Sequence, residues 1–334
     1  MTGCSGVHLP DSRIIEEGKR MYRYILKRLL WMIPIILLVA VLIFVIMDFV
    51  PGDPVSIMLG SSATQEEMER AREEMGLNRP FLVRLGEYLS DAFLHFDLGT
   101  SYQTSTPVTQ ELLERFPRTL ILSLISMFLA VAVGLPIGIY AAMHRNSVAD
   151  RLSMLISLVG VSMPSFWLAL MLVLLFALKL GILPAFGVGG IAYYILPALS
   201  NSFGGIAGVA RQSRSSVLDV LRSDFVTTAR AKGLSERQIL LKHILPNSLI
   251  PVVTYVGSIF GRMLGGTLVI EQVFSLPGIG NYMILAINNR DYPAVQGSVI
   301  FCAVTFSLIM LCVDLLYAAI DPRIKAQYAN GKRR

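Results

Sequence analysis

Apolar residues in this chain gather into blocks of about twenty, separated by polar stretches. A helix of about twenty apolar residues crosses the roughly 30 Å hydrocarbon core of a bilayer. The pattern predicts six such spans, at about Tyr24–Phe49, Thr119–Met143, Leu152–Leu180, Tyr193–Ala210, Ser248–Ile270 and Gly297–Ile320. The first runs into Val50-Pro51-Gly52-Asp53-Pro54, where two prolines and a glycine stop a helix. The fourth is the most polar, carrying Pro197, Asn201, Gly204, Gly205 and Gly208. A membrane β-barrel would show alternating segments of about ten residues instead. The expected fold class is an all-α polytopic membrane protein with six transmembrane helices and a large loop after the first.

Between the spans the polar stretches have patterns of their own. Residues 51–117 form the longest, with more acidic than basic residues. Within it Thr64 and Glu67 have the spacing of a capping box, which starts a helix over Thr64–Met75. Gly76-Leu77-Asn78-Arg79-Pro80 stops it, and Phe81–Phe93 repeats an amphipathic pattern. A small packed subdomain is expected there. Residues 1–20 are polar and irregular and are read as a tail, with 21–50 the first span, 118–321 the core and 322–334 a second, basic tail.

Charge orients the spans. Arg20, Arg23, Lys27 and Arg28 stand before and at the start of the first, and Arg145 and Arg151 lie between the second and third. Arg211, Arg214, Arg222, Arg230, Lys232, Arg237 and Lys242 lie between the fourth and fifth, and Arg323, Lys325, Lys332, Arg333 and Arg334 end the chain. Basic residues mark the cytoplasmic side, so both termini are expected there and the 51–117 loop outside. The same reading accounts for the net charge of +6 without invoking nucleic acid. Composition agrees with a membrane protein: 54% hydrophobic and 16% charged, against about a quarter charged in soluble domains. The three cysteines form no framework, since Cys302 and Cys312 lie roughly 15 Å apart along one helix.

The polar insert between the fourth and fifth spans is the most informative stretch. Val217, Leu221, Phe225 and Ala229 recur every fourth residue, predicting one helical stripe. Gly233 ends that helix, because glycine takes the left-handed cap conformation without a Cβ clash. Ser235 and Gln238 form a second capping box, Ile239–Leu245 follows, and Pro246 closes the unit. The expectation is a helix–turn–helix elbow over 217–246. Spacing alone fits either a docking surface for a soluble partner or an interfacial helix resting on anionic lipid.

Ala229-Arg230-Ala231-Lys232-Gly233-Leu234, followed by Leu245-Pro246, resembles the cytoplasmic signature of ATP-binding-cassette importer permeases. That signature reads Glu-Ala-Ala, three residues, Gly, nine residues, Ile, one residue, Leu-Pro. Here Ala229, Gly233, Leu245 and Pro246 keep register, while Thr227 and Thr228 replace Glu-Ala and His243 replaces Ile. Those departures are similar to the dipeptide/oligopeptide/nickel branch. The likeness runs from Met21 to about Ile324 and includes Val50-Pro51-Gly52-Asp53-Pro54, Asp97-Leu98-Gly99, Met163-Pro164-Ser165-Phe166-Trp167, Pro277-Gly278-Ile279-Gly280, Asp291-Tyr292-Pro293 and Asp321-Pro322-Arg323. The resemblance implies a permease paired with a second, similar permease, with two cytoplasmic ATPase subunits that use the ATP, and with an external solute-binding protein. It implies an elbow docked in an ATPase cleft and a peptide cargo, with nickel or another small solute as the alternative.

Other residues invite a role. Arg262 lies in the fifth span, where a charge is costly and should face the bundle interior or water. It reads as a pathway or gating residue or as half of an ion pair, with Glu271 or Asp314 as partner. Asn201 and Ser202 make the fourth span a candidate pathway lining, and Asp48 at a span end is read as hydrated. Gly134/Gly138, Gly204/Gly208 and Gly257/Gly261/Gly265 have the four-residue spacing that lets helices pack closely. His8, His95, His144 and His243 lack metal-ligand spacing, and no phosphate loop, nucleophile elbow or His-Glu-x-x-His is present. The chain is therefore expected to be no enzyme and to bind no cofactor or metal. From another class, a secondary transporter or channel stays open, although no inverted repeat is evident.

Overall fold

The computed structural model describes residues 12–50, 53–60 and 63–320, and no side chain at 12–24, 57, 266 or 316–320 enters the description. The expectations for residues 1–11, Pro51-Gly52 and the tail beyond 320 lie outside the described residues. Apart from one isolated antiparallel bridge between Thr100 and Pro107, the described regular structure is helical. The all-α membrane class holds.

Four helices contain stretches long and apolar enough to cross a bilayer: α1 (Ser12–Phe49), α5 (Val108–Met143), α11 (Leu245–Val273) and α13 (Tyr292–Ile320). The third predicted span is not one rod. It divides into α6 (Val148–Ser162) and α7 (Ser165–Leu172, continued by a π-helical segment to Lys179), bent by 100°. Pro164 is the cause. Its ring pushes Met163 out of the helical region to ψ 129°, and it has no N–H to continue the ladder. The fourth predicted span lies in α8 (Ala192–Leu221), which Pro197, Asn201 and its serines leave too polar to qualify on hydropathy.

Two boundaries differ from expectation. α1 starts at Ser12, so residues 12–20, read as an irregular tail, continue the first helix. No proline interrupts them, and most are adequate helix formers. α5 starts at Val108, directly after Pro107, so residues 108–117 belong to a helix rather than to the loop. Glu111 and Arg115 brace this start one turn apart, 2.6 Å between charged atoms.

Shorter helices fill the connections. α2 (Pro54–Leu59), α3 (Gln65–Glu74) and α4 (Phe81–Ser90, with a π-helical extension Asp91–His95) follow α1. The Thr64–Glu67 capping box is formed, both hydrogen bonds present. Asp48 is not merely hydrated: it pairs with Arg84, whose guanidinium also covers Phe44. Arg72 reaches Asp53 at 2.6 Å, and Phe44 stacks on Tyr88. α9 (Asp224–Ala231) and α10 (Glu236–Ile239, extended by a π-helical segment Leu240–Ile244) follow α8. α12 (Ile279–Asn288), absent from the sequence reading, lies between α11 and α13.

The centre of the bundle is α5 against α8. A Cβ on Gly134 would lie 2.6 Å from the Ile206 carbonyl oxygen, and one on Gly138 2.3 Å from that of Ala210. Only glycine admits so close an approach. Gly205 receives the Met263 side chain and Gly208 the Tyr255 hydroxyl, which seats α11 on α8. Gly257 and Gly261 likewise receive Val313 and Phe306 of α13, whereas Gly204 and Gly265 meet little or nothing. At one end of the bundle Met47, Val108, Leu112, Ile279 and Tyr282 bury together; at the other, Ala142 and Val217 join Val226, Ile239 and Ile244.

Two buried carboxylates tie the connections to the core at the first of these ends. Asp291 accepts from the Ser101 hydroxyl at 2.5 Å and from the Tyr102 and Ala294 amides, docking the 101–106 turn beside the start of α13. Burial, with the Asp291 charge beside it, pushes the Tyr102 phenol up to about 12. Glu271 accepts from the Thr119 hydroxyl at 2.6 Å and from the Asn281 amide at 3.1 Å, and its carboxylate occupies the space that a Cβ on Gly278 would need.

Gly138→Leu should force α5 from α8 at a cost of about 1–3 kcal/mol or more, lowering the unfolding temperature and the yield in detergent; unchanged thermal stability would contradict the packing. Asp291→Ala should release the 101–106 turn, seen as faster amide hydrogen exchange there, with exchange in α8 unaltered.

Candidate functional site

The insert after α8 forms a braced turn. Arg222 ends α8 and Ser223 starts α9 in extended geometry, so the expected single stripe is interrupted. The interruption shifts the register: Val217 and Ala229 are buried as expected, but Val226 takes the inward place assigned to Phe225, which is exposed. Gly233 then has φ +76°, its amide donates to Arg230 at 2.9 Å, and the Leu234 amide donates to Ala229 at 3.4 Å. These two bonds are the Schellman closure of a helix, which requires the left-handed backbone. Ser235 and Gln238 make the expected reciprocal cap of α10.

A further brace crosses the turn. Arg230 donates to Glu236 through Nε at 2.8 Å and Nη2 at 3.2 Å. The Glu236 carboxylate raises the already high range of the guanidinium. Val226, Ala229, Ile239 and Ile244 anchor the elbow on Ala142 of α5 and Val217 of α8. Arg230, Ala231, Lys232, Gly233 and Leu234 stand exposed. Of the residues in the signature, Ala229 is therefore an anchor, and Leu245 is half-buried. Nearby, Arg214 of α8 clasps Asp150 of α6 with two bonds, 2.5 and 2.8 Å.

Pro246 does not close the unit. α10, the π-helical segment and α11 run on without a break, and Pro246 opens α11. A proline inside a regular helix clashes with the carbonyl four residues back. The wider π turn immediately before it relaxes that constraint, and the Leu245 amide donates to Leu240 across it.

A cavity of about 350 Å3 opens beside the α6–α7 bend. Asn201, Gly204 and Arg211 line it from α8, Tyr255, Ile259 and Arg262 from α11, and Ser165 from the bend. Two of the three predicted pathway residues, Asn201 and Arg262, thus come together. Ser202 does not join them: it is buried and donates to the Leu199 carbonyl. Nor does Arg262 pair with the carboxylates suggested by sequence. Glu271 bonds to Thr119 and Asn281, and Asp314 pairs with Arg28 at 2.6 Å. Arg211 was counted only as a topology charge. The signal that finds it is the three-to-four spacing of Asn201, Gly204, Gly208 and Arg211, one face of a helix.

Comparison with known proteins agrees with this architecture. Residues 134–326 match the family described as binding-protein-dependent transport system inner membrane component, and residues 21–123 match its N-terminal companion. The glutathione transport system permease protein GsiC of Salmonella typhimurium is 43% identical over 305 residues, covering 91% of this chain and 99% of its own. A Brucella abortus protein named as a peptide transport system permease is 42% identical over 313 residues, covering 91% and 99%. In fold, the chain is similar to the MetNI methionine ABC transporter in an inward-facing crystal form, with TM-score 0.54, 18% identity, and coverage of 64% of this chain and 97% of that one. Matched along most of its length by the family and by relatives named as peptide-type permeases, this chain belongs to the dipeptide/oligopeptide/nickel group of binding-protein-dependent ABC importer permeases.

Proposed function

We propose that this chain is one of two similar permeases in an ATP-driven importer of short peptides, lying in the bacterial inner membrane with six spans and both termini cytoplasmic. One of two ATPase subunits docks on this chain's α9–α10 elbow, and an external binding protein delivers cargo to the opposite end, where α2–α4 lie. The chain performs no catalysis itself. ATP binding closes the ATPases, and their closure moves the elbow and switches the pathway between its two faces.

The observation that carries this reading is the elbow's construction. Its exposed crest is held by the Schellman closure at Gly233, the Ser235–Gln238 cap and the Arg230–Glu236 pair, over a base buried on α5 and α8. A helix that merely rested on lipid would direct an apolar face outward. Here Val226, Ile239 and Ile244 face inward, and the exposed apolar residues Phe225, Leu234 and Leu241 fall one each on α9, the turn and the π-helical segment, among Arg230, Lys232 and Arg237. The relatives' names favour peptide over nickel as cargo.

Gly233→Pro should abolish ATP-dependent uptake in cells while the protein inserts at near-normal abundance, because proline is locked near φ −65°. Gly233→Asn should retain most uptake, since asparagine tolerates the left-handed region and open space surrounds the site; equal transport by the proline variant would remove the docking role. Ile239→Ala should loosen the elbow by about 2–4 kcal/mol, read as faster proteolysis within residues 227–238.

A further inference from the structure

The cavity beside the α6–α7 bend contains a charge imbalance. Arg211 and Arg262 both line it, and among the described residues no aspartate or glutamate does. Neither guanidinium makes an ion pair among the described residues. Elsewhere the chain pairs its cations where they meet carboxylates: Arg28 with Asp314, Arg214 with Asp150, Arg84 with Asp48. Both guanidiniums are exposed to the cavity; Arg262 lies within the apolar stretch of α11, where a charge without a counter-charge is costly unless water or a ligand neutralises it. Of the remaining polar lining residues, Ser200 donates to carbonyls of its own helix and the Asn201 Nδ2 to Ser126, while Ser165, Tyr255 and the Asn201 carbonyl oxygen are neutral hydrogen-bonding groups.

We infer that this cavity is an anion-binding station in the transport pathway, selecting cargo that carries a free carboxylate, such as the C-terminus of a short peptide. A planar guanidinium matches a carboxylate with two parallel hydrogen bonds. Its volume of about 350 Å3 suits a small ligand, near the lower end of the roughly 300–1,000 Å3 range of ligand pockets. The two arginines stand on different helices: Arg262 on α11 within its apolar stretch, Arg211 on α8 nearer the elbow. A carboxylate leaving one therefore finds the second on the way to the elbow end. This assignment rests on the importer reading for its purpose, though the charge of the cavity is measurable on its own.

The test uses the assembled transporter in membranes without its binding protein. Cys4, Cys302 and Cys312 are changed to Ala, and Asn201→Cys serves as reporter. Two methanethiosulfonates of similar size are compared, one with a sulfonate and one with a trimethylammonium group. The same thiolate attacks the sulfenyl sulfur of either reagent and expels methanesulfinate, so the ratio of their rates, each normalised to the rate with a free small-molecule thiol, reports local charge rather than exposure. The sulfonate should react about tenfold faster. R262Q should remove most of that preference and R262K should keep it. Trialanine should slow the modification, and its C-terminal amide should not. Equal rates for the two reagents, a preference unmoved by R262Q, or equal protection by acid and amide would each overturn the proposal. Ser165→Cys provides a second reporter if the first variant fails to assemble. ATP-dependent uptake of trialanine by the complete system is measured separately: its absence would overturn the importer reading while the reagent ratio still reported the cavity.

Discussion

The backbone contact between α5 and α8 governs the rest of this molecule. At Gly134 and Gly138 the two helices approach more closely than a methyl group permits. A lipid-facing bundle gains little from the hydrophobic effect between its helices, so close van der Waals packing carries their association. α11 then seats on α8 through Gly205 and Gly208, and α13 on α11 through Gly257 and Gly261. The elbow rests on the far ends of the same pair, at Ala142 and Val217. The cavity arginines, on α8 and α11, are positioned by that stacking as well.

Polar ties finish what packing begins, and they fall mainly at the connections. Asp291 and Glu271 each gather donors from segments far away in sequence, fixing the 101–106 turn and the start of α12. Buried carboxylates need such partners, because an unsatisfied one would be expelled or neutralised. The family motifs acquire a physical meaning here. In Asp97-Leu98-Gly99, Asp97 accepts from the Gly99 amide, and a side chain at Gly99 would press on Pro293 of Asp291-Tyr292-Pro293. The two motifs are halves of one contact.

Much of this was legible in the sequence because its signals are local. Apolar block length located the four helices long and apolar enough to span, the Thr64–Glu67 and Ser235–Gln238 spacings located helix starts, and Gly233 marked the turn. What escaped depends on distant partners or on small register changes. Ser223 restarts a helix and thereby exchanges Phe225 for Val226 as the buried residue. Pro164 was visible, yet an apolar run on both sides concealed a 100° bend. The partners of Asp48, Glu271 and Asp314 follow from tertiary packing, which spacing does not encode. Arg230–Glu236 is the exception, a pair spanning one turn that the sequence could have suggested.

The π-helical segment at Leu240–Ile244 has a mechanical meaning on the importer reading. By letting Pro246 pass without a break, it joins the elbow to α11 as one continuous rod. From Glu236 to Arg262 that rod measures roughly 39 Å at the α-helical rise. Pro251 lies inside it, an interior proline that bends a helix, so a tilt of about 10° at its base moves Arg262 by at most roughly 7 Å. On the importer reading a push from the elbow would thus pass Pro246 into α11, and Pro251 is the interior proline that stands between it and the charged wall of the cavity.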